Sequence, residues 1–267
     1  SEQFTTDTAR YADVLLPATT EVEHLDVIPA WGHLYLGWNE PAIPPLGEAV
    51  ANTELWRRLA KVMGMTDPEF DQDDESLVRS ALRDVDVELL RKQGWLRLDL
   101  PDDLRLYASG GYATASGKAQ LMAPGMDRIG QDPLPAFIPA RESPTGDPEL
   151  AARYPLILLT PKNHTRFLNS SYSHHHGPRE QGPHVEIDPD DASARGIGEG
   201  DLVAVSNDRA TLLFPARLSD RLRPGVVAIP WGWWGKEHNV NALTNDTLTD
   251  WGGGVAFFDT LVEVALA

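Results

Sequence analysis

Six short apolar runs, each bounded by turn residues, occupy the second half of this chain and limit what it can become. They are Pro155-Leu156-Ile157-Leu158-Leu159, Val185-Glu186-Ile187, Leu202-Val203-Ala204-Val205, Thr211-Leu212-Leu213-Phe214, Val226-Val227-Ala228-Ile229 and Leu261-Val262-Glu263-Val264. None is long enough to be a buried helix, and most are rich in β-branched or large aliphatic residues, so they read as strands. About six strands at this spacing suggest a closed barrel, which leaves no edge open. One short helix interrupts them, with Asp188 as its cap, Pro189 in its first turn and Gly196 at its end.

The half before these runs has a different texture. Proline and glycine punctuate residues 124–155 densely, at Asp132-Pro133, Pro135, Pro139, Pro144-Thr145-Gly146 and Asp147-Pro148. Proline blocks both helix propagation and ladder pairing, so this stretch reads as a connection dividing the chain near residue 150. Ahead of it, Tyr11-Ala12-Asp13-Val14-Leu15-Leu16-Pro17 is an apolar run stopped by proline, expected to be a buried strand. Asn52-Thr53-Glu54 is expected to cap a helix with Leu55, Leu59 and Val62 on its apolar face, ending at Gly64. A second helix is expected from about Asp74 to Gln93, stopped by Gly94. The acidic stretch from Asp67 to Glu75 reads as a solvated loop.

Composition excludes several functions. The chain has 267 residues, 23 Lys+Arg against 40 Asp+Glu, and no cysteine. No disulfide framework, thiolate metal site, iron–sulfur ligation or cysteine nucleophile can be built from it. A net charge of −17 repels phosphate and argues against nucleic acid or acidic membranes as partners. No run approaches the roughly 20 apolar residues of a membrane helix, so direct membrane insertion is not expected. Ser1-Glu2-Gln3-Phe4 carries neither an initiator Met nor a signal peptide, as in a chain that begins inside a longer one. The missing cysteines fit the cytoplasm; a signal for periplasmic export would lie upstream.

No phosphate loop of the GxGxxG or GxxxxGK[ST] kind is present, nor HExxH or GxSxG. His174-His175-His176 reads first as a polar loop, because adjacent histidines splay apart unless a metal gathers them. Glu21-Val22-Glu23-His24 groups carboxylates with an imidazole but has no second ligand set at suitable spacing. Two polar segments that follow apolar strands carry more chemistry. The first runs from Thr160 to Ser171 and holds Lys162, Asn163, His164, Thr165, Arg166, Asn169 and Ser170. Local positive charge with adaptable donors suits a small anionic ligand; the alternative is a loop satisfying its own backbone. The second is Pro230-Trp231-Gly232-Trp233-Trp234-Gly235 with Asn239, Asn241 and Asn245 beyond it. Its tryptophans pack a barrel end or line a pocket for a flat ring, and a carbohydrate-binding module remains an alternative.

With these residues in order, the chain resembles the C-terminal part of the molybdopterin oxidoreductases, the dimethyl sulfoxide reductase and formate dehydrogenase group. The resemblance covers nearly all of it: Phe4 to Thr20 with Glu23-His24, and Asn52-Thr53-Glu54 leading to Met63-Gly64. It continues through Ile187-Asp188-Pro189-Asp190-Asp191-Ala192, Gly196-Ile197 to Gly200-Asp201, Pro224-Gly225-Val226-Val227, and Trp233-Trp234 to Asn241-Ala242-Leu243-Thr244.

The resemblance implies a mixed α/β fold. Residues 1–145 would close a truncated Rossmann-like α/β segment, and residues 150–267 would be a double-psi β-barrel that binds molybdopterin dinucleotide. It implies a bis-molybdopterin guanine dinucleotide cofactor with Mo or W, contacted by Thr160, Lys162, Asn163, His164, Thr165, Arg166, Asn169, Ser170, Ser171, Trp231, Asn241, Asn245 and Phe258. Asp259 stands where relatives often carry Lys. Iron–sulfur cysteines and the metal-ligating residue would lie upstream, so no catalytic residue and no metal ligand are assigned here. The implied partners are the pterin, the rest of the same chain and an electron-transfer subunit. A separate pterin-binding or structural subunit that assembles with a catalytic chain is the alternative.

Overall fold

The structure is a computed structural model that describes residues 1–101, 103–162, 182–235, 237–249, 252–256 and 258–267. The chain divides into two units, Ser1–Leu121 and Met122–Ala267.

In the first unit, strands β1 (Asp26–Pro29), β2 (Tyr35–Asn39) and β3 (Trp95–Arg97) form an antiparallel sheet. Helices α1 (Asn52–Met63), α2 (Asp74–Ala81) and α3 (Val87–Gln93) accompany it. One face of the sheet buries Leu36 and Trp38 against Val87 and Leu90 of α3, with Leu25, Val27, Val78 and Leu82 at the margin. α1 ends where expected, since Gly64 takes the left-handed conformation (φ 73°) and returns its amide to Ala60 and Lys61. The expected long helix from 74 to 93 is two helices. Its apolar period runs on through Leu82 and Val85, but the Asp86 carboxylate accepts from the Leu89 amide at 2.9 Å and starts a new helix there. Gly94 (φ 79°) stops the second one.

Among the described residues of this unit, parallel pairing is confined to isolated bridges, Glu2 with Pro17 and Ala18 with Val50. The run from Tyr11 to Leu16, expected as a buried strand, is neither a strand nor buried: Tyr11 is 82% exposed and Val14 71%. Among the described residues no strand pairs along residues 13–15, and only the Leu16 carbonyl is reached, by the Glu2 amide at 3.1 Å. α1 likewise leaves Leu59 and Val62 exposed, where an apolar face was expected.

In the second unit all six expected strands form. They are β4 (Leu156–Leu159), β5 (Val185–Ile187), β6 (Leu202–Ser206), β7 (Thr211–Leu218), β8 (Val226–Ala228) and β9 (Leu261–Leu266). They close in the order β4-β8-β5-β7-β6-β9. β4 with β8 and β5 with β7 run parallel, and every other neighbouring pair is antiparallel. This closed six-strand mixed barrel is the closed barrel expected from the strand spacing and the double-psi β-barrel that the resemblance implies. Alternation turns Val203 and Val205, Leu212 and Phe214, and Val185 and Ile187 inward, into one continuous core. α4 (Pro148–Arg153) precedes β4, and α5 (Pro189–Ala194) follows β5. At α5 the Asp188 side chain accepts from the Asp190 and Asp191 amides, as its place before Pro189 predicts.

Candidate functional site

Strand directions decide which loops meet. β4, β6 and β8 point one way round the barrel and β5, β7 and β9 the other. The connections β4–β5, β6–β7 and β8–β9 therefore share one end. Both polar segments singled out in the sequence are connections at that end: residues 160–184 follow β4, and residues 229–260 follow β8.

Pairing of these two loops continues past the strands. The Ile229 amide donates to the Leu159 carbonyl at 3.0 Å, and the Trp231 amide to Pro161 at 3.1 Å. Thr160 is buried at the root of the first loop, and Lys162 is exposed just beyond it. Trp231 packs partly against the barrel core, and Trp233 is buried. The Leu158 amide donates to Thr260 at 2.9 Å, which brings Phe258, half exposed, to the same rim.

Side-chain amides set the shape of the second loop. Asn239 caps the turn Val240–Ala242 by accepting from the Asn241 amide, and the Asn241 side chain is exposed. The Asn245 carboxamide donates to the Ala256 and Asp259 carbonyls and accepts from the Thr247 amide at 2.9 Å. It therefore holds the loop's shape. In the β6–β7 turn, Asn207 and Arg209 both donate to the Leu243 carbonyl, each at 2.8 Å. Arg209 also forms a two-pronged ion pair with Glu142, at 2.7 and 2.8 Å, joining the proline-rich segment to this end.

Thr160, Lys162, Trp231, Asn241, Asn245 and Phe258 thus belong to connections at one barrel end. Asn163, His164, Thr165, Arg166, Asn169, Ser170, Ser171 and the triple histidine lie outside the described residues. His184, on the last turn of the first loop, was not singled out in the sequence. Its Nδ1 donates to the Gly182 carbonyl at 2.9 Å. Its Nε2 is buried without a hydrogen-bond partner among the described residues, 3.6 Å from Glu186. A lone histidine before a three-residue strand gives no sequence signal of this kind.

Charge nearby is organised by Asp208 in the same β6–β7 turn. Arg153, through two bonds of 2.8 and 2.9 Å, and then the Tyr154 hydroxyl at 2.7 Å hold its carboxyl below the usual carboxylate range. The same contacts push Arg153 and Tyr154 up. Among the described residues no three His, Asp or Glu side chains converge on a metal site. In the first unit, Glu23 accepts from Thr20 and from the Leu46 amide, and His24 bonds Thr19, so that pair is occupied structurally. No described helix is long and apolar enough to cross a membrane.

Comparison with known proteins agrees with this geometry. Residues 156–261 match the family model of the Molydopterin dinucleotide binding domain. A probable oxidoreductase of Bacillus subtilis, YoaE, is 35% identical over 98% of this chain and 38% of its own length. Dimethyl sulfoxide reductase DmsA of Escherichia coli is 29% identical over 86% of this chain and 32% of its own. The solved acetylene hydratase of Pelobacter acetylenicus superposes with a TM-score of 0.82 at 27% identity, covering 99% of this chain and 39% of that one. The chain thus spans between about a third and two fifths of the length of these relatives. It is a homologue, along nearly all its length, of the dimethyl sulfoxide reductase family and of acetylene hydratase, and its residues 156–261 are a molydopterin dinucleotide binding domain.

Proposed function

We propose that this chain is the cofactor-binding C-terminal part of the catalytic subunit of a molybdenum or tungsten oxidoreductase. Residues from about 150 to 267 would hold the pterins of a bis-molybdopterin guanine dinucleotide at the barrel end described above. The observation that carries the reading is topological: two polar, aromatic-bearing connections, distant in sequence, leave the same end of one barrel.

The residues there fit such a group. A pterin dinucleotide presents an anionic pyrophosphate, a flat ring and an edge of mixed donors and acceptors. Lys162 supplies charge, Trp231 a half-buried aromatic surface, Asn241 both a donor and an acceptor, and His184 a buried ring nitrogen, Nε2, without a hydrogen-bond partner among the described residues. When bound, the cofactor's dithiolene sulfurs would carry the metal and the redox chemistry, so the barrel needs no cysteine. This chain's share is binding and orientation, and the 267 residues alone would have no turnover. The similar proteins include both reductases and a hydratase by name, so the barrel is not what sets the reaction.

The test is pterin content in the longer polypeptide. Lys162→Ala and Trp231→Ala should each lower pterin released per polypeptide several-fold, with near-ultraviolet circular dichroism retained. Unchanged pterin content in both variants would overturn the reading.

A further inference from the structure

The second loop carries a small hairpin that pterin binding leaves unused. The Thr249 amide donates to the Gly254 carbonyl at 2.7 Å and the Ala256 amide to the Thr247 carbonyl at 3.1 Å, with Leu248 and Val255 bridged between them. This hairpin and residues 138–142 of the proline-rich segment line a half-enclosed cavity of about 280 Å³. Both walls are held in place by bonds outside the cavity. The Arg209 fork fixes Glu142, and the Asn245 carboxamide fixes the base of the hairpin through the Ala256 and Asp259 carbonyls. Behind Glu142 the backbone turns tightly. The Ser143 hydroxyl donates to the Ala140 carbonyl at 2.6 Å, and a Cβ at Gly146 would fall 1.9 Å from the same oxygen.

The lining is apolar with one charge left over. Ile138, Pro139, Ala140, Leu248 and Ala256 supply the apolar surface, and Ile138 and Leu248 are left 61% and 59% exposed. Most of the polar groups are already engaged. Arg209 takes both oxygens of Glu142, the loop takes the Asn245 carboxamide, and Arg141 and Thr249 have contacts of their own. The Asp259 carboxylate and the Thr247 hydroxyl have no hydrogen-bond or ion-pair partner among the described residues, and both residues are half-buried. A carboxylate that gives up part of its water without gaining a partner is a ready counter-ion for a cation. The net charge of −17 draws cations in the same direction. An apolar cavity of roughly 150 Å³ holds a benzene, so about 280 Å³ admits a single ring with a short charged arm.

We propose that this cavity is a binding site for a small organic ammonium ion, with its charge on Asp259 and its ring or alkyl body against Ile138 and Leu248. The site lies on the second loop but needs no pterin, so it stands or falls apart from the proposed function. The probes are benzylammonium and its neutral counterpart benzyl alcohol, titrated into the 267-residue chain and followed by calorimetry and by backbone amide resonances. Benzylammonium should saturate with a Kd of about 0.1–1 mM, and the resonances that move should be those of 138–142 and 245–259. Benzyl alcohol should bind at least about tenfold more weakly, because only the cation gains a charge-assisted bond. Asp259→Asn keeps the size of the side chain. It should weaken benzylammonium by at least about tenfold and leave benzyl alcohol unchanged. Equal affinity of the two probes for the unaltered chain would overturn the proposal, since the cavity would then be selecting only an apolar body. An unchanged Kd in Asp259→Asn, resonances moving elsewhere in the chain, or no saturation up to about 10 mM would each overturn it as well.

Discussion

The barrel and the first unit solve the same problem with unequal success. Among the described residues the barrel joins seventeen buried residues in one cluster, while the first unit gathers four, Leu36, Trp38, Val87 and Leu90. A closed sheet satisfies its own backbone and has one inside, so its apolar residues have only one place to go. The first unit has an open three-strand sheet, short helices, and apolar residues on α1 and at 14–16 that face outward. The difference shows where the chain can stand alone: at the barrel, where the two candidate loops are rooted, and not at the segments that precede it.

Substitutions at matched apolar positions test that contrast most severely. Among the described residues Phe214 is the largest wholly buried side chain of the barrel, so Phe214→Ala should cost about 3–5 kcal/mol, read by chemical denaturation of the second unit. Leu59→Ala on α1, at 41% exposure, should stay within about 0.5 kcal/mol in the same chain. Equal effects at the two sites would erase the distinction.

A smaller effect tests how the barrel end is held. Arg209→Met removes the fork to Glu142 and the bond to the Leu243 carbonyl, leaving a carboxylate that is only 17% exposed without its partner. The expected cost is about 1–3 kcal/mol, with faster hydrogen exchange at 138–142 and around 243. If exchange there does not change, the proline-rich segment is anchored by something other than this ion pair.

How much of this the sequence shows depends on the range of the interaction. The strands of the barrel are legible because each lies between turn residues and carries its own inward alternation, as Val203 and Val205 do after Asp201 and before Asn207. The cap at Asp188 is legible for the same local reason. Arg209 and Glu142 stand 67 residues apart, and nothing local links them. The shared end of the two loops follows from strand direction, which no single run encodes. The single helix expected from 74 to 93 fails because apolar period alone does not weigh the Asp86 carboxylate against continuing the helix. Tyr11–Pro17 fails differently. Its composition reports burial, but burial needs a neighbour, and among the described residues none pairs along residues 13–15; only its end is bridged, Pro17 by Glu2.

The mildest test concerns pH and the anchor between α4 and the β6–β7 turn. Asp208 is held below the ordinary carboxylate range, first by Arg153 and then by Tyr154, so its contribution is present above the unfolded value near about 3.9 and is lost as pH falls through the lower folded value. Tyr154 is pushed above the ordinary phenol range, first by its bond to Asp208, so its contribution is present below about pH 10 and is lost as pH rises through the higher folded value. The two signs leave the anchor intact across the neutral range and release it at both extremes. All three partners are solvent-accessible, so salt should weaken the effect. A spectroscopic tyrosine titration should find the Tyr154 phenol ionising above the ordinary phenol range, and Asp208→Asn should bring it back towards that range. If the late phenol persists in Asp208→Asn, the carboxylate is not what holds it, and the barrel's surface is anchored here by packing alone.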